Sequence, residues 1–165
     1  MTGTHKIKYI VAKGSSFVDA ANSDLVANPT AAWQPFVFTA PQVWQPGDQN
    51  WVILNNVATG QLKTLRGTSS AIGQCFNLEA SLVVRAGNEG DSMDLEFAFF
   101  HNGVLVPDST TGVKIQPGDT WENASLLGTI PSANVNDVFE LRYRGTYNFD
   151  HWLGLIYATF RAYMD

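Results

Sequence analysis

The chain has 165 residues and a formal net charge of −5, with 45% hydrophobic and only 15% charged residues, against roughly 25% charged in an ordinary globular chain. That length suits one domain with its own core. The acidic balance speaks against bulk nucleic-acid binding and against anchoring on anionic lipid, since both need lysine and arginine to meet phosphate.

The first stretch is small, polar and rich in Asn, Ala and Ser, and it ends at the breaker Asn28-Pro29-Thr30. Residues 1–32 therefore read as an N-terminal arm and residues 33–165 as the domain. The arm carries Lys6, Lys8 and Lys13 with no acid before Asp19, a local charge opposite to the rest. These lysines are its candidate contacts with another protein. Residues 2–13 are too polar for a signal-peptide core, and no apolar run reaches the roughly 18 residues of a membrane span. Residues 16–27 read equally well as a short helix or a loop. The arm either packs on its own domain or reaches a neighbour.

Beyond it, short runs of period two alternate with Gly, Pro, Asn and Asp clusters. Strands are predicted at 7–11, 33–39, 51–55, 62–65, 76–85, 95–101, 104–106, 113–115, 125–130, 138–144 and 153–163. Gln45-Pro46-Gly47-Asp48 and Gln116-Pro117-Gly118-Asp119 carry the chemistry of type II turns. Asn102-Gly103 is the strongest hairpin signal. Strands without intervening helices point to an all-β fold, a two-sheet antiparallel jelly-roll sandwich.

Two strands show one buried face: Leu95, Phe97 and Phe99 alternate with Asp94 and Glu96, and Phe139, Leu141 and Tyr143 with Glu140, Arg142 and Arg144. Two others are apolar on both faces. Trp51 and Ile53 oppose Val52 and Leu54. In the closing run, Leu153, Leu155 and Tyr157, continued by Arg161 and Tyr163, oppose Trp152, Ile156 and Phe160. At about 25 cal/mol per Å² an uncovered second face forgoes several kcal/mol. The economical cover is a sister copy, with the 51–55 and 153–163 strands side by side and Trp51, Ile53, Leu153, Leu155, Tyr157, Arg161 and Tyr163 at the interface. The chain's own arm is the alternative cover.

A family resemblance rests on four stretches. The residues from Gly73-Gln74-Cys75-Phe76 to Leu82 resemble the strand that opens the body of the C1q/TNF-like jelly roll. His101-Asn102-Gly103 is similar to its mid-domain hairpin, Val135-Asn136-Asp137-Val138-Phe139-Glu140-Leu141 to a later strand entry, and Trp152-Leu153-Gly154-Leu155 to its closing strand. The likeness covers residues 51–164. Cys75 stands where the pattern has an aromatic, and Asn136 where it has glycine. The resemblance implies a homotrimer joined through the sheet that holds the first and last strands. In tailed phages it implies a capsid decoration, or cement, protein on the virion surface, made in the host cytoplasm and bound to the major capsid protein. The rival expectation is a receptor- or carbohydrate-binding module of a phage tail or fibre.

Catalytic chemistry is not expected. No G-x-S-x-G or equivalent accompanies His5, His101 or His151, which read as structural or loop residues. Asp91, Asp94, Glu96, Asp119, Glu122, Asp137, Glu140 and Asp150 read as solvated carboxylates. Cys75 is the single cysteine, so one chain forms no disulfide or cysteine metal site, and it reads as a buried small hydrophobe. Asn88-Glu89-Gly90-Asp91 is a weak calcium candidate; no metal or cofactor is expected. Trp33, Trp44, Trp51, Trp121 and Trp152 read as core and interface anchors rather than as a sugar platform.

Overall fold

A computed structural model describes residues 8–13, 25–26, 29–36, 42–44, 52–56, 61–86, 92–117, 121–146 and 153–164. Among them the strands are β1 (Lys8–Lys13), β2 (Leu25–Val26), β3 (Gln34–Pro35), β4 (Gln42–Trp44), β5 (Val52–Asn56), β6 (Gln61–Thr64), β7 (Phe76–Ala86), β8 (Met93–His101), β9 (Val104–Leu105), β10 (Thr111–Ile115), β11 (Glu122–Ile130), β12 (Val138–Gly145) and β13 (Leu153–Met164), with one 3₁₀ turn at Ser70–Ile72. They form an all-β sandwich of two antiparallel sheets. One runs β11-β7-β13-β1-β4, with β2 also on β13; the other runs β10-β8-β12-β6-β5, with β3 on β12 and β9 on β8. From β7 onward the chain changes sheet after β7, β10, β11 and β12, which is jelly-roll winding.

Period two builds the core. In β8, Met93, Leu95, Phe97 and Phe99 are fully buried, and in β12 so are Phe139, Leu141 and Tyr143. Facing them from the other sheet are Phe76, Leu78, Leu82 and Val84 of β7, Leu126 and Ile130 of β11, and Phe160 of β13. Aromatic pairs bridge the sheets: Phe99 stacks on Phe160 at 5.5 Å, and Phe76 meets Phe139 edge-on at 5.3 Å. Burial of each such ring contributes roughly 1.5–3 kcal/mol. Burial also pushes the Tyr143 hydroxyl up to about 12, so it stays neutral throughout the ordinary pH range.

The strand predicted at 7–11 is present as β1, which lies between β13 and β4, with Lys8 opposite Ala162 and Lys13 opposite Tyr157; of the two alternatives left open for the arm, this part packs on its own domain. Two sequence expectations are corrected here. Residues 25–26, within the stretch read as helix or loop, form a strand on β13. The 51–55 run does not sit beside the closing strand, because β5 pairs with β6 in the opposite sheet.

The closing strand departs from the simple alternation as well. Its register on β7 shifts by one residue between Leu155 and Tyr157. Leu155 stands opposite Val84 and Leu153 opposite Ala86, whereas Tyr157, Arg161 and Tyr163 stand opposite Val83, Glu79 and Asn77. One extra residue thus separates positions that an unbroken period of two assigns to one face. The outer row of β7 and β11 is mostly polar, with Asn77, Glu79, Ser81, Asn123, Ser125 and Thr129 beside Val83 and Leu127.

Gly128 sets how closely the sheets approach. A Cβ there would lie 2.9 Å from Cδ2 of Phe99 and 3.4 Å from Cβ of Ser109. Phe99 cannot yield, being fully buried and stacked on Phe160. Gly128→Ala is expected to lower unfolding free energy by about 1–3 kcal/mol in denaturant titration. Gly112→Ala, where the nearest atom is the Leu95 carbonyl oxygen at 3.9 Å, is expected to change it little.

Candidate functional site

The site begins at the β8–β9 hairpin. Asn102 and Gly103 both have positive φ, 50° and 79°, the type I′ geometry that fits the twist of paired strands. The hairpin is held from β12 by one carboxylate. Asp137 accepts from Asn102 Nδ2 at 2.8 Å and from the Asn134 backbone N–H at 2.8 Å, and pairs with His101 Nε2 at 2.7 Å. Asn102 in turn accepts from the Val138 N–H at 2.9 Å. Asn136, just before Asp137, has φ of 72°. This left-handed conformation is one that glycine adopts freely and asparagine tolerates.

Asp137 is thus no solvated carboxylate. Burial pushes its pKa up, but the hydrogen bonds from Asn102, Asn134 and His101 and the charge of His101 outweigh that, leaving it below its usual 3.8. Glu140 is also buried, accepting from Gln61 Nε2 at 2.7 Å and from the Arg142 guanidinium. The sequence reading of both acids as solvated fails because the partners that cover them from elsewhere in the fold, Gln61 for Glu140 and His101 and Asn102 for Asp137, lie 79, 36 and 35 positions away.

Beyond the hairpin, Val104 is 69% and Leu105 41% exposed. Pro107 and Asp108, the latter at φ of 58°, turn the chain out of β9. Ser109 closes the turn, accepting from the Phe99 N–H at 3.1 Å and donating to the Val106 carbonyl at 2.8 Å. Across from it, the end of β11 contributes Leu127, 69% exposed. Between these walls lies a trough of about 500 Å³ lined by Pro107, Asp108, Leu127, Gly128, Thr129 and Pro131. It continues into a hollow of about 270 Å³ that reaches Val104, Leu105 and His101. The lining is largely aliphatic, with Asp108 and Thr129 as its polar members.

The outer face of the β8–β12 sheet is different in character. Its charges are matched: Arg142 with Glu140, Arg144 with Glu96, and Lys114 with Asp94. The Arg142 guanidinium lies over the Phe100 ring at 4.4 Å and that of Arg144 over Trp33 at 4.6 Å, while Trp33 meets Phe100 edge-on at 5.4 Å. Trp121 likewise has Arg85 over it at 4.8 Å. Each of these tryptophans therefore has a guanidinium on one ring face, where a sugar would otherwise stack.

The predicted interface set is divided between the sheets: Ile53 belongs to β5 in one, and Leu153, Leu155, Tyr157, Arg161 and Tyr163 to β13 in the other, whose register on β7 shifts between Leu155 and Tyr157. Trp51, Lys6, Trp152, His5, His151 and the Asn88–Asp91 stretch lie outside the described residues, while Lys8 and Lys13 bound β1. Cys75 is half-buried rather than fully buried. Among the described residues no three His, Cys, Asp or Glu side chains gather to hold a metal ion, and no helix is long and apolar enough to cross a membrane.

The trough residues are not among the predicted site residues. A signal was available: Leu127 is the apolar residue in the row Asn123, Ser125, Leu127, Thr129, where alternation calls for a polar one.

Asp137 gives the site its pH dependence. A carboxylate held below its usual pKa stabilises the fold fully above the unfolded value of about 3.9 and loses that contribution as pH falls through its native value. Asp137→Ala is expected to cost about 1–3 kcal/mol at neutral pH. The gap between variant and parent should close below about pH 4, as read by urea titrations at several pH values.

The sequence matches no protein-family model and no curated protein. Among solved structures it is similar to a candidate sugar-binding protein from Bacteroides thetaiotaomicron, at 9% identity over 95% of this chain and 86% of that chain, with a TM-score of 0.28.

Proposed function

We propose that this chain is a non-catalytic assembly module: a homotrimeric decoration protein of a virus particle that adds to the shell by binding the major capsid protein. The observation that carries the reading is the aliphatic trough with Val104, Leu105 and Leu127 exposed beside it, on a surface whose described charges are mostly matched within the chain. Such a surface is suited to burial against protein. It offers neither the basic patch a nucleic acid needs nor, among the described residues, an aromatic platform free on both faces. Function is then mechanical: many copies bound to the assembled lattice favour it over the disrupted one.

Light scattering of the purified chain is expected to give three times the monomer mass. Added to shells that lack it, the protein should raise their resistance to heat. A monomer that leaves the shells unchanged but binds on a glycan array would replace this reading with that of a carbohydrate-binding module.

A further inference from the structure

Among the described residues β11 is the outermost strand of its sheet and pairs on one side only, with β7. From β10, across the sandwich edge, the Thr111 hydroxyl donates to the Ser125 carbonyl at 3.1 Å. The backbone groups of Ser125 therefore point away from β7. Direction alternates along an antiparallel ladder, so Leu127 and Thr129 also turn their N–H and C=O outward, while Leu126, Gly128 and Ile130 turn theirs to β7. Among the described residues no hydrogen bond takes up these outward backbone groups of Leu127 and Thr129. The trough runs beside this stretch, with Pro107 and Asp108 as its far wall.

We infer that the open edge of β11 from Ser125 to Pro131 is a strand-addition site for an extended segment of a protein partner. Two backbone donors and two acceptors repeat with the spacing of a strand, and the trough beside them takes an apolar side chain. Strand addition draws affinity from main-chain bonds and specificity from such pockets. Asp108 is the one charged side chain lining the trough and has no ion-pair partner among the described residues. The segment that fits therefore alternates apolar and small residues and carries a lysine or arginine opposite Asp108. The edge is short and ends at Pro131, so it holds a few residues of an arm rather than a whole sheet. The inference rests on the docking reading and names its contact; it does not require the trimer.

The test uses the full chain and two fluorescent nonapeptides of alternating valine and serine, one with a central lysine and one with glutamate there. Fluorescence anisotropy should show saturable binding of the lysine peptide and about fivefold weaker binding of the glutamate peptide. Leu127→Pro removes one outward N–H and no ladder bond, a change an edge strand accepts. It should fold and lose about tenfold in affinity. Asp108→Lys, at an exposed turn, should reverse the preference between the peptides whether or not the proline variant folds. Ile72→Ala, at an exposed apolar residue remote in sequence, should leave binding unchanged. Absence of saturable binding by either peptide overturns the inference, as does binding indifferent to both Leu127→Pro and Asp108→Lys. So does self-association of the chain that is abolished by Leu127→Pro. Shell binding that survives Leu127→Pro would sink the edge site while leaving the assembly reading intact.

Discussion

The two sheets close on each other where a glycine meets a ring. Gly128 in β11 lies flat against Phe99 in β8, and Phe99 is stacked in turn on Phe160 of β13. A side chain at Gly128 would push the sheets apart, loosen that stack and raise the floor of the trough. Core packing and the shape of the trough are therefore one constraint. Ser109 works at the same point, holding the β8 backbone where β9 has ended and β10 has not begun.

Polar groups do the positioning around this contact. Asp137, just before β12, holds the hairpin through two side chains, His101 and Asn102, and is itself held by the Asn134 N–H, which fixes where Val104 and Leu105 emerge. On the opposite face, Glu140 and Glu96 neutralise the two arginines that cover Phe100 and Trp33. Partly buried pairs of this kind add little net stability against well-packed apolar residues, but losing one partner leaves a charge stranded. They favour one arrangement of strands over others. With so many charges matched inside the chain, what remains to meet a partner at the trough is aliphatic surface, an open strand edge and Asp108.

Much of this was legible in the sequence wherever periodicity ran unbroken. β8 and β12 alternate cleanly, and the Asn102-Gly103 hairpin and the sandwich class follow from local chemistry alone. The reading failed where a long-range fact intervened. Nothing local reveals that one residue is inserted at the Leu155–Tyr157 step, yet that insertion breaks the period of two on which the interface expectation was built. Whether the lysine-rich start of the chain packs on its own domain or on a neighbour is not written in its local residues; the backbone pairing of β1 with β13 and β4 decides it for residues 8–13. Glu140 and Gln61 are 79 positions apart, and sequence spacing carries no hint of their meeting. The open edge was invisible for a further reason, since strand order, not strand content, determines which strand lies outermost.

Native-state hydrogen exchange along β11, measured on the unliganded chain, tests the open edge most directly. The amides of Leu126 and Gly128, bonded to β7, should exchange slowly, and those of Leu127 and Thr129 faster by about a hundredfold or more, a protection pattern of period two. Uniform protection along Ser125 to Ile130 would mean that the edge is already covered, and no strand-addition site would remain there.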